Sequence, residues 1–123
     1  MPVLGIDHVQ LPFSGGLQAQ LRHFYTLSLG LKELQGWPGP TLRFALAGQR
    51  LDLVPSPDGQ ALQAPGHVAL RVRNLPGLRA ALLDAGYAVD ETHPLPGHAR
   101  LYVDDPAGNT LEVLEPLSEE VAS

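Results

Sequence analysis

Alternation of apolar and polar side chains predicts a strand near the start of the chain. Between residues 6 and 13 the two kinds of residue take alternate positions, which is the pattern of a strand with two unlike faces. From Leu17 the apolar spacing changes to i, i+4, i+7 and i+8, the pattern of one helix face, and Gly30 predicts the helix end. Three short strands are predicted next, over residues 32–34, 41–47 and 50–55.

The same order of elements recurs in the second part of the chain. A polar stretch rich in Pro and Gly, residues 56–66, predicts a linker. It is followed by a predicted strand over residues 67–73 and by a helix whose apolar stripe ends at Gly86. The last three predicted strands cover residues 87–91, 99–105 and 110–115. Both parts therefore have the order β-α-β-β-β.

The two parts also repeat residue by residue. His8-Val9-Gln10-Leu11 recurs as His67-Val68-Ala69-Leu70, 59 positions later. Leu51-Asp52-Leu53-Val54 recurs as Leu111-Glu112-Val113-Leu114, 60 positions later. Such self-similarity is evidence about architecture before any single residue is interpreted. Each part begins with a strand that carries a histidine and ends with a strand that carries a carboxylate.

The predicted fold class is α+β, with two β-α-β-β-β modules, residues 1–57 and 66–117, in a single domain of residues 1–123. Half of the chain is about 60 residues, a marginal size for independent stability, so we expect the modules to share one core. The strand that starts at His67 has one apolar face and one polar face. We therefore expect a curved mixed sheet that forms a cavity, with the helices on its outer face.

Composition narrows the function classes. The hydrophobic fraction of 44% indicates a globular protein, and the absence of cysteine excludes disulfides, thiolate metal sites and cysteine nucleophiles. The net charge of −5, without a cluster of Lys and Arg, argues against binding to nucleic acid. No signal peptide is recognisable, and no apolar stretch approaches the roughly 20 residues of a membrane span. A cytoplasmic location without membrane contact is the default expectation.

The repeated histidines and carboxylates predict a metal site. Neutral imidazoles and carboxylate oxygens bind Fe, Mn, Ni or Zn, and a set of two histidines and one carboxylate leaves positions open for a substrate. The candidate ligands are His8, His67 and Glu112, with Asp52 as a fourth. For either histidine alone, the ordinary interpretation is a hydrogen-bonded strand residue. For Asp52, coordination and a hydrogen bond to a neighbour both stay open.

Other side chains are candidate contacts for a small-molecule substrate: Gln10, Trp37, Arg71, Arg100 and Tyr102. Tyr102 is a candidate catalytic residue together with Glu112, since a phenol donates a hydrogen bond to a substrate oxygen while a carboxylate moves a proton. The two arginines would hold a carboxylate or phosphonate, and Trp37 would stack on a ligand. The alternatives are solvated arginines and ordinary aromatic packing. The remaining histidines, which lack repeat partners, are interpreted as surface residues: His23, His93 and His98.

Several segments resemble those of the vicinal oxygen chelate superfamily, which includes glyoxalase I, extradiol dioxygenases, fosfomycin-resistance transferases and bleomycin-resistance proteins. The segments are Asp7-His8-Val9, Phe24-Tyr25, Leu29-Gly30-Leu31, residues 66–70 and residues 102–112. The last of them, which contains an Asp-Pro-Ala-Gly-Asn turn, is the strongest. Together they span nearly the whole chain, but they do not indicate which member it is.

The resemblance implies one divalent metal ion, bound by His8, His67 and Glu112. Glyoxalase I adds a glutamate where this chain has Asp52. The implied function is a small metal-dependent glyoxalase-like protein with lyase, isomerase or dioxygenase chemistry on a small oxygenated substrate. The alternative is a metal-free binding protein of the bleomycin-resistance type that sequesters an antibiotic or metabolite. A homodimer is also implied, and modules pair either within one chain or across two.

Overall fold

The computed structural model describes residues 2–58, 60–63 and 65–117. The strands in these ranges are β1 (His8–Phe13), β2 (Lys32–Glu33), β3 (Leu42–Leu46), β4 (Gln49–Pro55), β5 (Val68–Arg71), β6 (His98–Asp104) and β7 (Thr110–Pro116). The α-helices are α1 (Gln18–His23) and α2 (Leu75–Asp84), and α1 continues into a π-helical segment, Phe24–Ser28. None of the helices in the described ranges is long and apolar enough to cross a membrane.

The chain divides into two compact units, residues 1–61 and 62–123. The α+β fold class predicted from the sequence is confirmed, since each unit holds a mixed sheet and a helix. That the two units share one core as a single domain stays a prediction.

The first unit contains a four-stranded sheet in the order β1-β4-β3-β2. Strand β1 runs parallel to β4, and the other pairs are antiparallel. The side chains that fill its core come from one face of the sheet and from the helix: Leu11, Phe13, Leu21, Phe24, Tyr25, Leu42, Phe44, Leu51 and Leu53. Tyr25 stacks on Phe44 with 5.2 Å between ring centroids, so the helix is held against this face.

The second unit contains a three-stranded sheet in the order β5-β7-β6. Its buried face carries Leu101 and Val103 of β6 together with Leu111 and Val113 of β7. The strand predicted over residues 87–91 is reduced to one bridge, in which Asp90 and Tyr102 exchange two backbone hydrogen bonds. The side chain of Asp90 accepts hydrogen bonds from the N–H and O–H of Thr92, and this local turn ends the extended segment.

The sequence repeat is also a repeat in strand register. In the first unit Val9 pairs with Leu51, and in the second Val68 pairs with Leu111. This common register places Gln10 beside Asp52 and Ala69 beside Glu112. The histidine of each unit therefore stands two positions before the residue that faces the carboxylate.

A turn between β6 and β7 anchors the chain segment that leads into the second unit. The carboxylate of Asp105 accepts hydrogen bonds from the backbone N–H groups of Ala107 and Asn109, both at 2.9 Å. The side-chain oxygen of Asn109 accepts the backbone N–H of Leu62 at 2.8 Å, and Leu62 in turn accepts the N–H of Thr110 at 2.7 Å. Through its hydrogen bond to Leu62, the fully buried Asn109 joins the linker to the start of β7.

We expect Asn109→Ala to lower the free energy of unfolding by about 1–3 kcal/mol, because the backbone N–H of Leu62 and the carboxylate of Asp105 each lose a buried partner. Urea denaturation measures the change. Gln63→Ala is the control, since that exposed side chain makes only a long hydrogen bond of 3.4 Å at the same turn. Equal losses in the two variants would contradict this role for Asn109.

Candidate functional site

The second unit gathers its polar residues on the face of the sheet opposite the core. Because side chains alternate along a strand, Glu112 of β7 and both Arg100 and Tyr102 of β6 share this face. Tyr102 lies directly opposite Glu112 in the register. His67, which immediately precedes β5, reaches the same cluster. These four were candidate site residues in the sequence, and the structure brings them together.

His67 is held at both ring nitrogens. Its Nδ1 lies 2.9 Å from the backbone oxygen of Pro65, and its Nε2 lies 2.8 Å from Oε1 of Glu112. The glutamate is only 8% exposed. A carboxylate so far removed from water needs a positive or hydrogen-bonding partner, and His67 provides one at close range.

Arg100 connects the glutamate to a loop at the edge of the sheet. Its Nη1 donates to Oε2 of Glu112 at 3.3 Å, while Nε and Nη2 donate to the backbone oxygen of His93 at 3.0 and 2.6 Å. The guanidinium also lies 5.4 Å from the ring centre of Tyr102. The ring of Tyr102 contacts the rings of His67 and His93 edge-on, with 5.7 and 6.0 Å between centroids. Arg100 thus fixes Glu112, Tyr102 and His93 in one arrangement.

This arrangement borders a cleft of about 810 Å³ in the second unit. Its polar side includes His67, Arg100 and Tyr102, and its apolar side includes Ala88 and Val89. A concave site with convergent polar groups and an apolar wall is the usual form of a small-molecule site.

The cleft also includes two residues that the sequence interpretation missed, Asp90 and His93. Hydrogen bonds from Thr92 lower the pKa of Asp90, and the nearby His93 lowers it further. His93 is 64% exposed, as expected for a surface histidine, but it lies at the cleft and 3.6 Å from the carboxylate of Asp90. It has no repeat partner, so periodicity offered no signal for it.

Asp52, the counterpart of Glu112 in the first unit, is engaged by arginine. Its two oxygens accept from Nε and Nη2 of Arg50 at 2.7 and 3.0 Å, and this hydrogen bonding raises the pKa of Arg50 above its ordinary value. Nε of Arg43 lies 3.8 Å from the same carboxylate. His8 does not contact Asp52 through a hydrogen bond; its Nδ1 lies 2.8 Å from Asp7, whose pKa it lowers.

Trp37 lies over the two arginines of this unit. Its ring centre is 4.5 Å from the guanidinium carbon of Arg43 and 5.1 Å from that of Arg50. The indole is 49% exposed, so it covers the guanidinium groups and still meets solvent. Gln10 lies on the same sheet, opposite Asp52, and is exposed.

The predicted site residues therefore form two groups, one in each unit. The group in the second unit contains His67, Glu112, Arg100 and Tyr102, and the group in the first unit contains Asp52 and Trp37. Arg71 of β5 is exposed. Among the residues that the structure describes, no group of three or more His, Asp or Glu side chains is arranged to hold a metal ion. The four-residue ligand set stays a prediction, with His67 and Glu112 as the pair in direct contact.

Comparisons with known proteins identify structural relatives. No protein-family model and no curated protein matches the chain. A protein from Bacillus anthracis assigned to the glyoxalase family is 26% identical, with a TM-score of 0.83 over 94% of this chain and 98% of that one. TnmS3, an antibiotic-binding protein from Streptomyces sp. CB03234, is also 26% identical, with a TM-score of 0.76 over the same shares.

Lactoylglutathione lyase from Agrobacterium tumefaciens shares the fold at 22% identity, with a TM-score of 0.70 over 94% of this chain and 96% of that one. These similarities extend over almost all of each chain and join glyoxalase-type enzymes with an antibiotic-binding protein. They confirm the resemblance to the vicinal oxygen chelate superfamily that the sequence predicted, and they show that the chain has the glyoxalase-like fold.

Proposed function

We propose that this protein is a small metal-dependent enzyme that binds one divalent ion through His67 and Glu112 of the second unit; the third ligand that the superfamily resemblance implies, His8, stays a prediction. Its substrate is a small oxygenated molecule in the cleft of the second unit, and its chemistry is of the lyase, isomerase or dioxygenase type. One observation carries the proposal: the Nε2 atom of His67 faces a carboxylate oxygen at 2.8 Å while Nδ1 faces a backbone carbonyl.

The placement of protons on His67 explains why this observation favours a cation. The carbonyl of Pro65 can only accept, so Nδ1 must be the donor in that contact. In a neutral imidazole Nε2 then has only a lone pair, and an ionised Glu112 also has only acceptors. Two acceptors at 2.8 Å need either a proton that they share, carried by the imidazole or by the carboxyl group, or a cation that both of them bind. The donor set fits a divalent ion, because an imidazole nitrogen and a carboxylate oxygen are ligands of Fe, Mn, Ni and Zn.

The surrounding residues orient this pair. The Pro65 carbonyl fixes the tautomer of His67 that leaves Nε2 without a proton. Arg100 binds Oε2 of Glu112, and Oε1 of the same carboxylate faces His67. When bound, the metal would polarise a substrate oxygen and stabilise negative charge on it. Tyr102, which lines the cleft, would donate a hydrogen bond to that substrate. We leave Asp52 out of the ligand set because both of its oxygens already accept from Arg50.

A metal-free binding protein is the second candidate function. The size of the cleft, about 810 Å³, and its apolar side favour the binding of an organic molecule, and TnmS3 is an antibiotic-binding protein with this fold. In this case His67 carries protons on both nitrogens and forms a closed ion pair with Glu112. The two candidates therefore differ in whether His67 and Glu112 would bind a metal ion or share a proton.

Thermal melts with Mn, Ni, Zn or EDTA distinguish the two candidates. We expect metal to stabilise the wild type by roughly 3–4 kcal/mol at 100 to 1,000 times its dissociation constant, and Glu112→Gln to abolish most of this gain. In EDTA the same substitution should change stability far less, because no bound cation is lost.

The control for charge removal is Glu91→Gln. Glu91 belongs to the same unit and forms an exposed ion pair with Arg79, so its variant should respond to metal as the wild type does. Wild-type melting curves that superimpose in EDTA and in all three metals would contradict metal binding and leave the binding-protein function.

We also infer a homodimer, because cavities in this superfamily are commonly completed by a second chain. Apolar residues near the start of the chain support this inference: Val3, Leu4 and Ile6 are 74%, 98% and 66% exposed. Light scattering at micromolar concentration should give about twice the chain mass of 13.2 kDa, as expected for two-fold pairing. A mass of 13.2 kDa would contradict the inference.

A further inference from the structure

We propose that the first unit contains a binding site for the oxyanion group of a small organic ligand, a carboxylate or a phosphonate. Arg43 is the recognition residue, and Trp37 is the cover that the ligand displaces. The site consists of residues of the first unit alone. It goes beyond the proposed metal site and does not require that a metal be bound.

The distribution of charge around Asp52 leaves one guanidinium without a matched partner. Arg50 occupies both oxygens of Asp52 through two short hydrogen bonds of 2.7 and 3.0 Å. Arg43 approaches the same carboxylate only to 3.8 Å, which is an ion pair without a hydrogen bond. Two permanent positive charges thus face the one buried carboxylate of Asp52, while the other acid that acts on Arg50, Asp7, is exposed. A bound anion would balance the positive charge of the second arginine.

Arg43 also has hydrogen-bond donors that the described part of the chain does not satisfy. Its Nε and Nη1 atoms are buried and have no hydrogen-bond partner there. A buried donor without a partner is destabilising, and more so when the group is charged, so such atoms are rare and call for an explanation. An oxyanion provides what is missing, because it brings both acceptor oxygens and negative charge.

The stacking of Trp37 does not replace these hydrogen bonds. A cation–π contact attracts the guanidinium to the face of the ring, whereas its N–H groups point outward in the guanidinium plane. The indole covers the two arginines, with its ring centre 4.5 Å from the guanidinium carbon of Arg43 and 5.1 Å from that of Arg50. We infer that a ligand that reaches the buried nitrogens of Arg43 displaces this ring.

The loop around Trp37 is suited to such a movement. Gly36 and Gly39 on either side of it both have a φ of 89°, a conformation that glycine adopts without strain. Almost half of the indole surface is exposed, so little buried area opposes its displacement. After displacement, the ring remains available to stack on a flat or apolar part of the ligand.

Trp37 is the single tryptophan of the chain, so its fluorescence reports directly on this site. The probes are methylphosphonate and acetate, added separately in EDTA, with sodium chloride at matched ionic strength as the reference. We expect a saturable change in Trp37 emission with at least one probe and no saturable change with chloride. In Arg43→Met the apparent affinity should fall by about tenfold or more, as the loss of a charged hydrogen bond predicts.

Lys32→Met is the matched control, because Lys32 is an exposed cation on the same sheet and its removal changes the net charge equally. Its titration should coincide with that of the wild type. Saturation by methylphosphonate, by acetate or by both supports the site and identifies the anion class it prefers. No saturable change with either probe, or an unchanged titration in Arg43→Met, would overturn the proposal.

Arg43→Lys keeps the experiment decisive if the methionine variant fails to fold, which its circular dichroism and thermal melt would show. The lysine retains the charge but lacks the planar guanidinium, so its affinity for the probe should fall several-fold relative to the wild type. Wild-type affinity in Arg43→Lys would contradict recognition by the guanidinium. Because the titrations are done in EDTA, their outcome is separate from that of the metal experiment.

Discussion

The buried carboxylate at the centre of each sheet is the constraint on which both candidate sites depend. Asp52 and Glu112 occupy the same register position in the two units and are 3% and 8% exposed. A carboxylate removed from water must have a positive partner or remain strongly destabilising. The polar face of each unit is organised around that partner, and the opposite face is free to form the apolar core.

Both carboxylates have an arginine partner, Arg50 for Asp52 and Arg100 for Glu112, but only the second unit adds a histidine, and this difference separates their chemistry. Arg50 binds Asp52 through both oxygens and keeps its charge, so it is a permanent partner. His67 binds one oxygen of Glu112 and can exchange a proton for a metal ion at that nitrogen. Repetition of one backbone module has thus produced a pair suited to a cation in the second unit. In the first unit it has produced an excess of guanidinium, at Arg43, suited to an anion.

Periodicity and repetition predicted most of the strands, although residues 87–91 form only one bridge, and they indicated that His67 and Glu112 belong to one site, because both depend on spacing along the chain. They did not predict the partners of Asp52, although Arg50 lies two positions away on the same strand and hence on the same face. An arginine on the same face competes with a metal ion for the carboxylate of Asp52. The position of His93 was beyond this reasoning, since a hydrogen bond from Arg100 to its backbone oxygen holds it at the cleft. Such a contact between a strand and a loop leaves no periodic signal.

We propose above all that His67 and Glu112 bind a metal ion and do not simply share a proton. Elemental analysis of untagged protein, purified without chelator and then incubated with Mn, Ni or Zn and desalted, tests it most directly. We expect about one divalent ion per chain in the wild type and a large loss of that ion in Glu112→Gln. A wild-type protein that retains none of the three metals would contradict it, and the His67–Glu112 contact would then be an ion pair at the wall of a binding cleft.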